Sequence, residues 1–211
     1  MESKEEEQQK IWENISESWH SFRQRPNPTI GLVVKNLASK WKPGRILDIG
    51  CGNCRNLLPF AFNEFDCYGV DFSSSMLEAA KQFTAKHKMK VKLQQASATK
   101  LPFGTNYFEY ALCLSMLHHL NAEERLKALK EIKRVVKRNG KVVFSVWNKL
   151  QLRFFFKQKD LLVPWHVSGV KHDRFYHLFT YWEFKKLLKN AGFKILEKNM
   201  FGKNLTFVCQ A

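Results

Sequence analysis

The chain has 211 residues, 45% of them apolar and 14% aromatic, which is enough to bury the core of one domain and too apolar for general disorder. Its net charge is +16, and residues 127–211 alone hold 19 Lys and Arg against 5 Asp and Glu, a field that favours polyanions over neutral partners. No apolar run approaches the ~18 residues of a membrane span, and MESKEEEQQK is acidic and polar, unlike a targeting segment, so a cytoplasmic protein without membrane contact is expected.

In chain order, Glu5 to Trp19 carries Ile11, Ile15 and Trp19 at helical spacing, and Pro26 and Pro28 then break the chain. Pro28 suits the first turn of a second helix bearing Ile30, Val33, Val34 and Leu37, stopped by Lys42-Pro43-Gly44. Ile46 to Ile49 reads as a buried strand, followed by a glycine turn and a helix from Asn56 to Phe62. Cys67 to Asp71 is a second strand, and Ser73 or Ser74 caps a helix to Lys86. Val91 to Gln95 and Tyr110 to Leu114 are further strands. Asn121 with Glu124 opens a helix to Lys137, which Asn139-Gly140 closes before a fifth strand from Lys141 to Trp147.

Residues 149–179 fit neither period; they are rich in aromatics, contain Pro164 and Gly169, and read as an inserted loop or cap. Thr180 with Glu183 starts a last helix ending at Ala191-Gly192, and Phe193 to Met200 with Asn204 to Cys209 form an antiparallel hairpin around Phe201-Gly202-Lys203. The alternation predicts an α/β fold, a mostly parallel sheet with helices on both faces, in a single domain over 1–211 with N-terminal helices in 1–43.

In such sheets ligands bind at the carboxyl ends of the strands. The first strand ends in Asp48-Ile49-Gly50-Cys51-Gly52-Asn53, where Gly50 and Gly52 allow close approach of a ligand and Asp48 can receive an ammonium group. Asp71, nineteen residues past Gly52, suits a ribose diol. Gly-x-Gly is shared with dinucleotide folds, but Arg55 takes the sixth fingerprint position and disfavours a pyrophosphate cradle. Cys51 and Cys54 form a C-x-x-C pair with no second ligand pair, so no metal is expected, and Cys67, Cys113 and Cys209 read as buried thiols.

The string ILDIGCGN (Ile46 to Asn53) resembles motif I of the class I S-adenosylmethionine-dependent methyltransferases, and VDFSSSML (Val70 to Leu77) resembles their second motif. This resemblance implies a Rossmann-like seven-stranded sheet and S-adenosylmethionine as cofactor. Asp48, Gly50, Gly52, Asn53, Asp71, Phe72, Ser97, Ala98 and Leu114 are then the cofactor-binding candidates, although core filling explains Phe72 nearly as well. The chain departs from the family at Cys54, where glycine is common, and at Ser97, where an acidic residue commonly meets the adenine amine.

On the acceptor side, His118 and His119 follow the fourth strand, where each can serve the acceptor or simply pack and cap. VPWH (Val163 to His166) and DRFYHLF (Asp173 to Phe179) mix aromatic rings with Arg174, His166 and His177, a composition suited to a base and a phosphate or carboxylate. VPW, RFYHLF and EFKKLLKNAGF are similar to the tRNA wobble-uridine carboxymethyl methyltransferases, which include the domain fused to the eighth human AlkB homologue; Trp19, Arg23, Pro26 and Pro28 match them too. Asn27 and Leu205 depart from that pattern, each standing where the family has tryptophan.

The closer resemblance implies methyl-ester formation on 5-carboxymethyluridine-34, with Arg23, His118, His119, Arg174 and Tyr176 positioning the acceptor. It also implies the tRNA anticodon loop and a small zinc-binding activator subunit as partners. The readings held against it are a methyltransferase of a small metabolite and a non-catalytic scaffold with the same fold.

Overall fold

The computed structural model describes residues 4–200 and 202–211; Met1, Glu2, Ser3 and Phe201 of the expected hairpin turn lie outside them. Two helices come first, α1 (Lys4–Phe22) and α2 (Pro28–Lys40). The Asn27 side chain accepts the Thr29 N–H at 3.0 Å and Pro28 pre-sets the first turn of α2. After β1 (Arg45–Ile49), a 3₁₀ turn at Arg55–Leu57 and a one-turn α3 (Leu58–Ala61) replace the longer helix expected over Asn56 to Phe62. Pro59 fixes where α3 begins, and Glu64, at a φ of +61°, turns the chain away soon after its end.

β2 (Asp66–Asp71) leads to α4 (Ser74–Lys86), capped by Ser73 Oγ accepting the Met76 N–H at 3.1 Å. β3 (Val91–Gln95), β4 (Phe108–Leu114), α5 (Ala122–Val135) and β5 (Val136–Trp147) follow. The capping box of Asn121 and Glu124 opens α5, but that helix stops two residues short of Lys137. Val136 is already extended, and Asn139-Gly140 sits inside β5, where a φ of +69° at Asn139 accompanies a shift of register against β4.

The insert is more regular than expected. β6 (Asp160–Val167) and β7 (Val170–His177) pair as a separate antiparallel ribbon, with Val167 opposite Val170. Ser168 and Gly169 form its two-residue turn, both with positive φ (+48° and +81°), the geometry that matches ribbon twist. Pro164 is tolerated because a two-stranded ribbon consists of edges only. The chain ends with α6 (Tyr181–Asn190), opened by the Thr180 and Glu183 box, then β8 (Lys194–Asn199) and β9 (Asn204–Gln210).

The main sheet has seven strands in the order β3-β2-β1-β4-β5-β9-β8, with β9 antiparallel to both neighbours and the first five strands parallel. One face buries Phe144 and Phe207 against Phe184 of α6 and the apolar side of α5, and the other packs Ile30 and Val34 of α2, Phe60 of α3 and Phe83 of α4 on the sheet. Successive connections run to opposite sides at β1 and β4, which opens a crevice between their carboxyl ends. Among the described residues no helix is long and apolar enough to cross a membrane.

Helix α1 lies over that crevice. Glu13 accepts the N–H groups of Ser74 (2.7 Å) and Ser75 (2.8 Å), so a carboxylate from one helix caps the N-terminus of another. Burial pushes the Glu13 carboxyl up, but the hydrogen bonds from Ser75 and Ser74 outweigh it and hold it below its ordinary value. A carboxyl depressed in the folded state stabilises at neutral pH and ceases to do so once it is protonated. Glu13→Ala is therefore expected to cost about 1 kcal/mol at pH 7. Urea unfolding should show the parent and the variant converging as the pH falls into the acid range; a gap that persists in acid would assign the loss to packing.

Candidate active site

A cavity of about 1230 Å³ fills the crevice, roofed by α1 and walled by the β6–β7 ribbon. That exceeds the roughly 300–1,000 Å³ of single-ligand pockets, so two ligands fit side by side.

One half of the cavity lies over β1 and β2. Gly50 and Gly52 line it at φ +68° and +53°, and a Cβ would stand 2.5 Å from Met116 or 3.0 Å from the Trp19 ring, so only glycine keeps this turn open. Asp71 also lines it; its two oxygens accept the N–H groups of Gly52 (2.9 Å) and Ser73 (3.1 Å), which fix the carboxylate at the end of β2. Burial pushes the Asp71 carboxyl up to about 6, against the hydrogen bonds of Ser73 and Gly52. Phe72, Ala98 and Leu114 also line the cavity.

Three of the expected cofactor residues lie behind the cavity wall. Asn53 is wholly buried and ties the turn to the end of α1, its Nδ2 donating to the Arg23 carbonyl at 3.0 Å. Asp48 is 1% exposed, and its Oδ2 has no hydrogen-bond partner among the described residues. Burial pushes its carboxyl up to about 8, with Arg55 opposing the shift and Asp71 adding to it. Ser97 bonds Thr99 and the carboxylate of Glu5.

Glu5 was not foreseen as a site residue. It reaches from α1 to the loop after β3 and lines the cavity beside Ala98. Because β1, β2 and β3 are neighbours in that order, a ligand with its amine near Asp48 and its ribose at Asp71 directs its base toward that loop. Position 97 itself is serine, and the carboxylate that stands at this loop comes from α1. Glu5, Trp12 and Trp19 recur every seven residues, a helical stripe that marks one face of α1; the stripe read as Ile11, Ile15 and Trp19 shares only Ile15 with the buried face of Trp12, Ile15 and Ser16.

Cys54 stands at a φ of +63°, where glycine is usual, and its sulfur and that of Cys51 lie 3.0 and 3.1 Å from where a Cβ of Gly69 would be. All five cysteines are free and buried. Among the described residues no group of three or more His, Cys, Asp or Glu is placed to hold a metal.

The other half of the cavity lies over β4 and β5, and there His118, His119, Arg174 and Tyr176 come together. The rings of His118 and Tyr176 stack at 4.9 Å, His119 meets Tyr176 edge-on at 4.4 Å, and Trp147 lies 4.3 Å from the same ring. His118 Nδ1 accepts the Trp147 N–H at 3.2 Å, which leaves its proton on Nε2. His119 Nδ1 faces the Phe175 carbonyl at 3.0 Å, so there the proton sits on Nδ1. Burial, with Arg174 and the neighbouring imidazole, drives His118 well below its ordinary value, and burial takes His119 down to about 3. Both rings are neutral and weakly basic, suited to hydrogen bonding rather than to proton abstraction.

Arg174 is 5% exposed, and its guanidinium lies 4.9 Å from the Trp165 ring, 5.3 Å from Tyr176 and 5.6 Å from Trp12. One nitrogen donates to Tyr176 Oη at 3.0 Å, Nε has no partner, and among the described residues no carboxylate pairs with it. Arg23 is exposed and lines the rim of the same cavity. His166 is exposed and outside it, and His177 is held between Asp160 (2.5 Å) and Glu183 (2.9 Å), which makes it a structural link.

Over residues 47–144 the sequence matches the family described as "Methyltransferase domain". A protein of Encephalitozoon cuniculi named as a methyltransferase is 30% identical over 161 residues, covering 72% of this chain and 71% of its own length. The chain belongs to the S-adenosylmethionine-dependent methyltransferases. The tRNA (carboxymethyluridine(34)-5-O)-methyltransferase of Schizosaccharomyces pombe is 25% identical to this methyltransferase over 216 residues, 89% of this chain and 88% of the other. Among solved structures, the 1,6-didemethyltoxoflavin-N1-methyltransferase of Burkholderia thailandensis, with 1,6-didemethyltoxoflavin and S-adenosylhomocysteine bound, aligns with a TM-score of 0.64 at 19% identity, over 87% of this chain and 76% of that one.

The residues present fit S-adenosylmethionine. Asp71, for the ribose, and Glu5 beside Ala98, for the amino edge of the base, line the cavity, and the unpartnered Asp48 oxygen stands behind its wall at the end of β1, on the side where the amine would lie.

Because the folded state keeps Asp48 protonated well above its ordinary value, it takes up a proton on folding, and stability falls as pH rises from about 4 to about 8. Asp48→Asn is therefore expected to raise stability without cofactor at pH 8 and above by roughly 1–3 kcal/mol, yet to weaken S-adenosylmethionine binding at least ~10-fold. Calorimetry showing unchanged affinity would remove Asp48 from the cofactor site. The Glu5 carboxylate predicts a second result. The parent should prefer S-adenosylhomocysteine over its inosyl analogue, which bears oxo for amino, by about tenfold, and Glu5→Ala should abolish that preference. An undiminished preference in the variant would count against Glu5.

Proposed function

We propose that this methyltransferase acts on the carboxylate of 5-carboxymethyluridine at the wobble position of tRNA, forming the methyl ester. The observation that carries the reading is Arg174, a buried cation with an unpartnered Nε in an aromatic box that opens onto the cofactor half of the cavity. A buried guanidinium without a counter-charge is costly, and a planar carboxylate matches its fork. The rings of Trp165, Tyr176 and Trp147 suit a pyrimidine beside that carboxylate. The similarity to the Schizosaccharomyces pombe wobble-uridine enzyme, and the +14 net charge of residues 127–211, support the same class of acceptor.

S-adenosylmethionine supplies an electrophilic methyl on a sulfonium. Transfer of that methyl to a carboxylate oxygen would form the C–O bond at the expense of the C–S bond and would leave a neutral ester and a neutral thioether, so the residues of this chain would need to move no proton. That suits His118 and His119, whose weak basicity would make them poor bases. The task of the residues is to hold the carboxylate without quenching it and to keep water out. Arg174 and Tyr176 bind it, the Nε2 proton of His118 offers a further donor, and Arg23 at the rim meets the RNA backbone. The small zinc-binding activator belongs to the same proposal, as a partner subunit.

The test is mass spectrometry of nucleosides after incubating S-adenosylmethionine and tRNA bearing 5-carboxymethyluridine with the protein, with and without the activator. Methyl ester is the expected product, and its absence in both mixtures sinks the reading. Arg174→Gln should lower ester formation about 100-fold or more and leave S-adenosylmethionine affinity within about threefold, because Arg174 stands in the acceptor half. A comparable loss of cofactor binding would remove Arg174 from the acceptor.

A further inference from the structure

Between β5 and β6 the chain reads KLQLRFFFKQK from Lys149 to Lys159, with four basic residues and no acidic one. Its 3₁₀ turn, Leu152–Phe154, buries only Phe154, which stacks on Trp147 at 5.6 Å. The neighbouring side chains project into solvent: Leu152 is 94% exposed, Phe155 60% and Phe156 95%. The two exposed rings stand 5.1 Å apart at 83° and present two differently oriented faces.

This outcrop is braced. Lys149 Nζ donates to the carbonyls of Phe154 (2.6 Å) and Phe155 (3.1 Å), and Gln151 Nε2 donates to those of Asn148 (3.0 Å) and Lys203 (2.9 Å). It adjoins the mouth of the cavity through Arg153, which lines the mouth and lies over the Trp147 and Phe154 rings at 4.7 and 4.4 Å. Adjacent phenylalanines held in water are unfavourable unless a partner covers them, and sequence-tolerant stacking on bases is one such use.

We propose that residues 149–159 form a stacking platform for the single-stranded nucleotides that flank the acceptor, with Phe155 and Phe156 taking bases and Arg153 and Lys157 facing phosphates. The inference rests on the tRNA reading above and adds to it a second point of RNA contact. Single-stranded RNA is favoured over a protein or a lipid surface by the absence of any acidic residue in the segment, by the rings, and by continuity with the acceptor cavity.

The test uses the full chain with S-adenosylhomocysteine and a fluorescent anticodon stem-loop RNA, read by anisotropy at 150 mM salt. Phe155→Ala with Phe156→Ala should weaken RNA binding about tenfold or more while cofactor affinity and Tm stay unchanged, since both rings are exposed. Phe156→Trp should keep the affinity and show its fluorescence quenched on adding RNA. If the parent binds RNA and the double variant binds it equally well, the platform is overturned and the tRNA reading survives. A parent that binds no RNA overturns both. Loss of binding to anionic phospholipid vesicles in the double variant, with RNA affinity unchanged, would reassign the outcrop to a membrane surface.

Discussion

The site depends on how α1 is held across the carboxyl edge of the sheet. Glu13 supplies the cap for α4, Gln9 donates to the Phe72 carbonyl at 2.9 Å, and Gln8 accepts the Phe175 N–H at 3.0 Å. On the ribbon side, Trp165 donates to Ser18 at 3.2 Å. One helix thus joins the strand ends that face the cofactor to the ribbon that carries Arg174. Its apolar stripe alone, Trp12, Ile15 and Trp19, would not fix its rotation or its register; the polar contacts at both ends do, and they bring Glu5 to the loop after β3.

Burial of the ionisable groups around the cavity sets the chemistry on both sides. The same burial that raises Asp48 lowers His118 and His119 and leaves Arg174 a cation without a counter-charge. These groups remain in costly states because the whole fold surrounds them, and each loses part of that cost when a group of complementary charge or hydrogen bonding arrives. A carboxylate acceptor needs no base, so an environment that suppresses the basicity of two imidazoles is compatible with methyl transfer.

Much of the fold was readable from period and punctuation. The parallel strands, both capping boxes and the antiparallel end follow from alternation and from Asn121, Glu124, Thr180 and Glu183. Misreadings arose where signals competed. Asn139-Gly140 resembles a helix stop, yet Val136 has already turned extended. The β6–β7 ribbon was hidden by Pro164 and by crowded aromatics, although Ser168-Gly169 between two valines carries the mark of a two-residue turn. Within the site, residues that follow a strand are brought to the cavity by their position in the sheet, whereas Glu5 and Trp12 come from a distant helix whose seven-residue repeat marks a face but not where that face docks. Asn53 and Ser97 sit on the loops after β1 and β3 but do not line the cavity.

The packing of Cys51, Cys54 and Gly69 bears on how this chain can vary. Two sulfurs and the Leu93 side chain crowd the volume that a side chain at position 69 would need. Cys54 in turn holds a left-handed backbone that glycine would adopt without strain. Substitutions at these positions are therefore epistatic: a Cβ at 69 would press on both sulfurs and on Leu93 Cδ2 at 3.0–3.1 Å and needs them to give way, and glycine at 54 relaxes the backbone while leaving a void against β2. The departure from the family's glycine at this turn belongs to a co-adapted set of three residues, and the sign of a change at any one of them is decided by the other two.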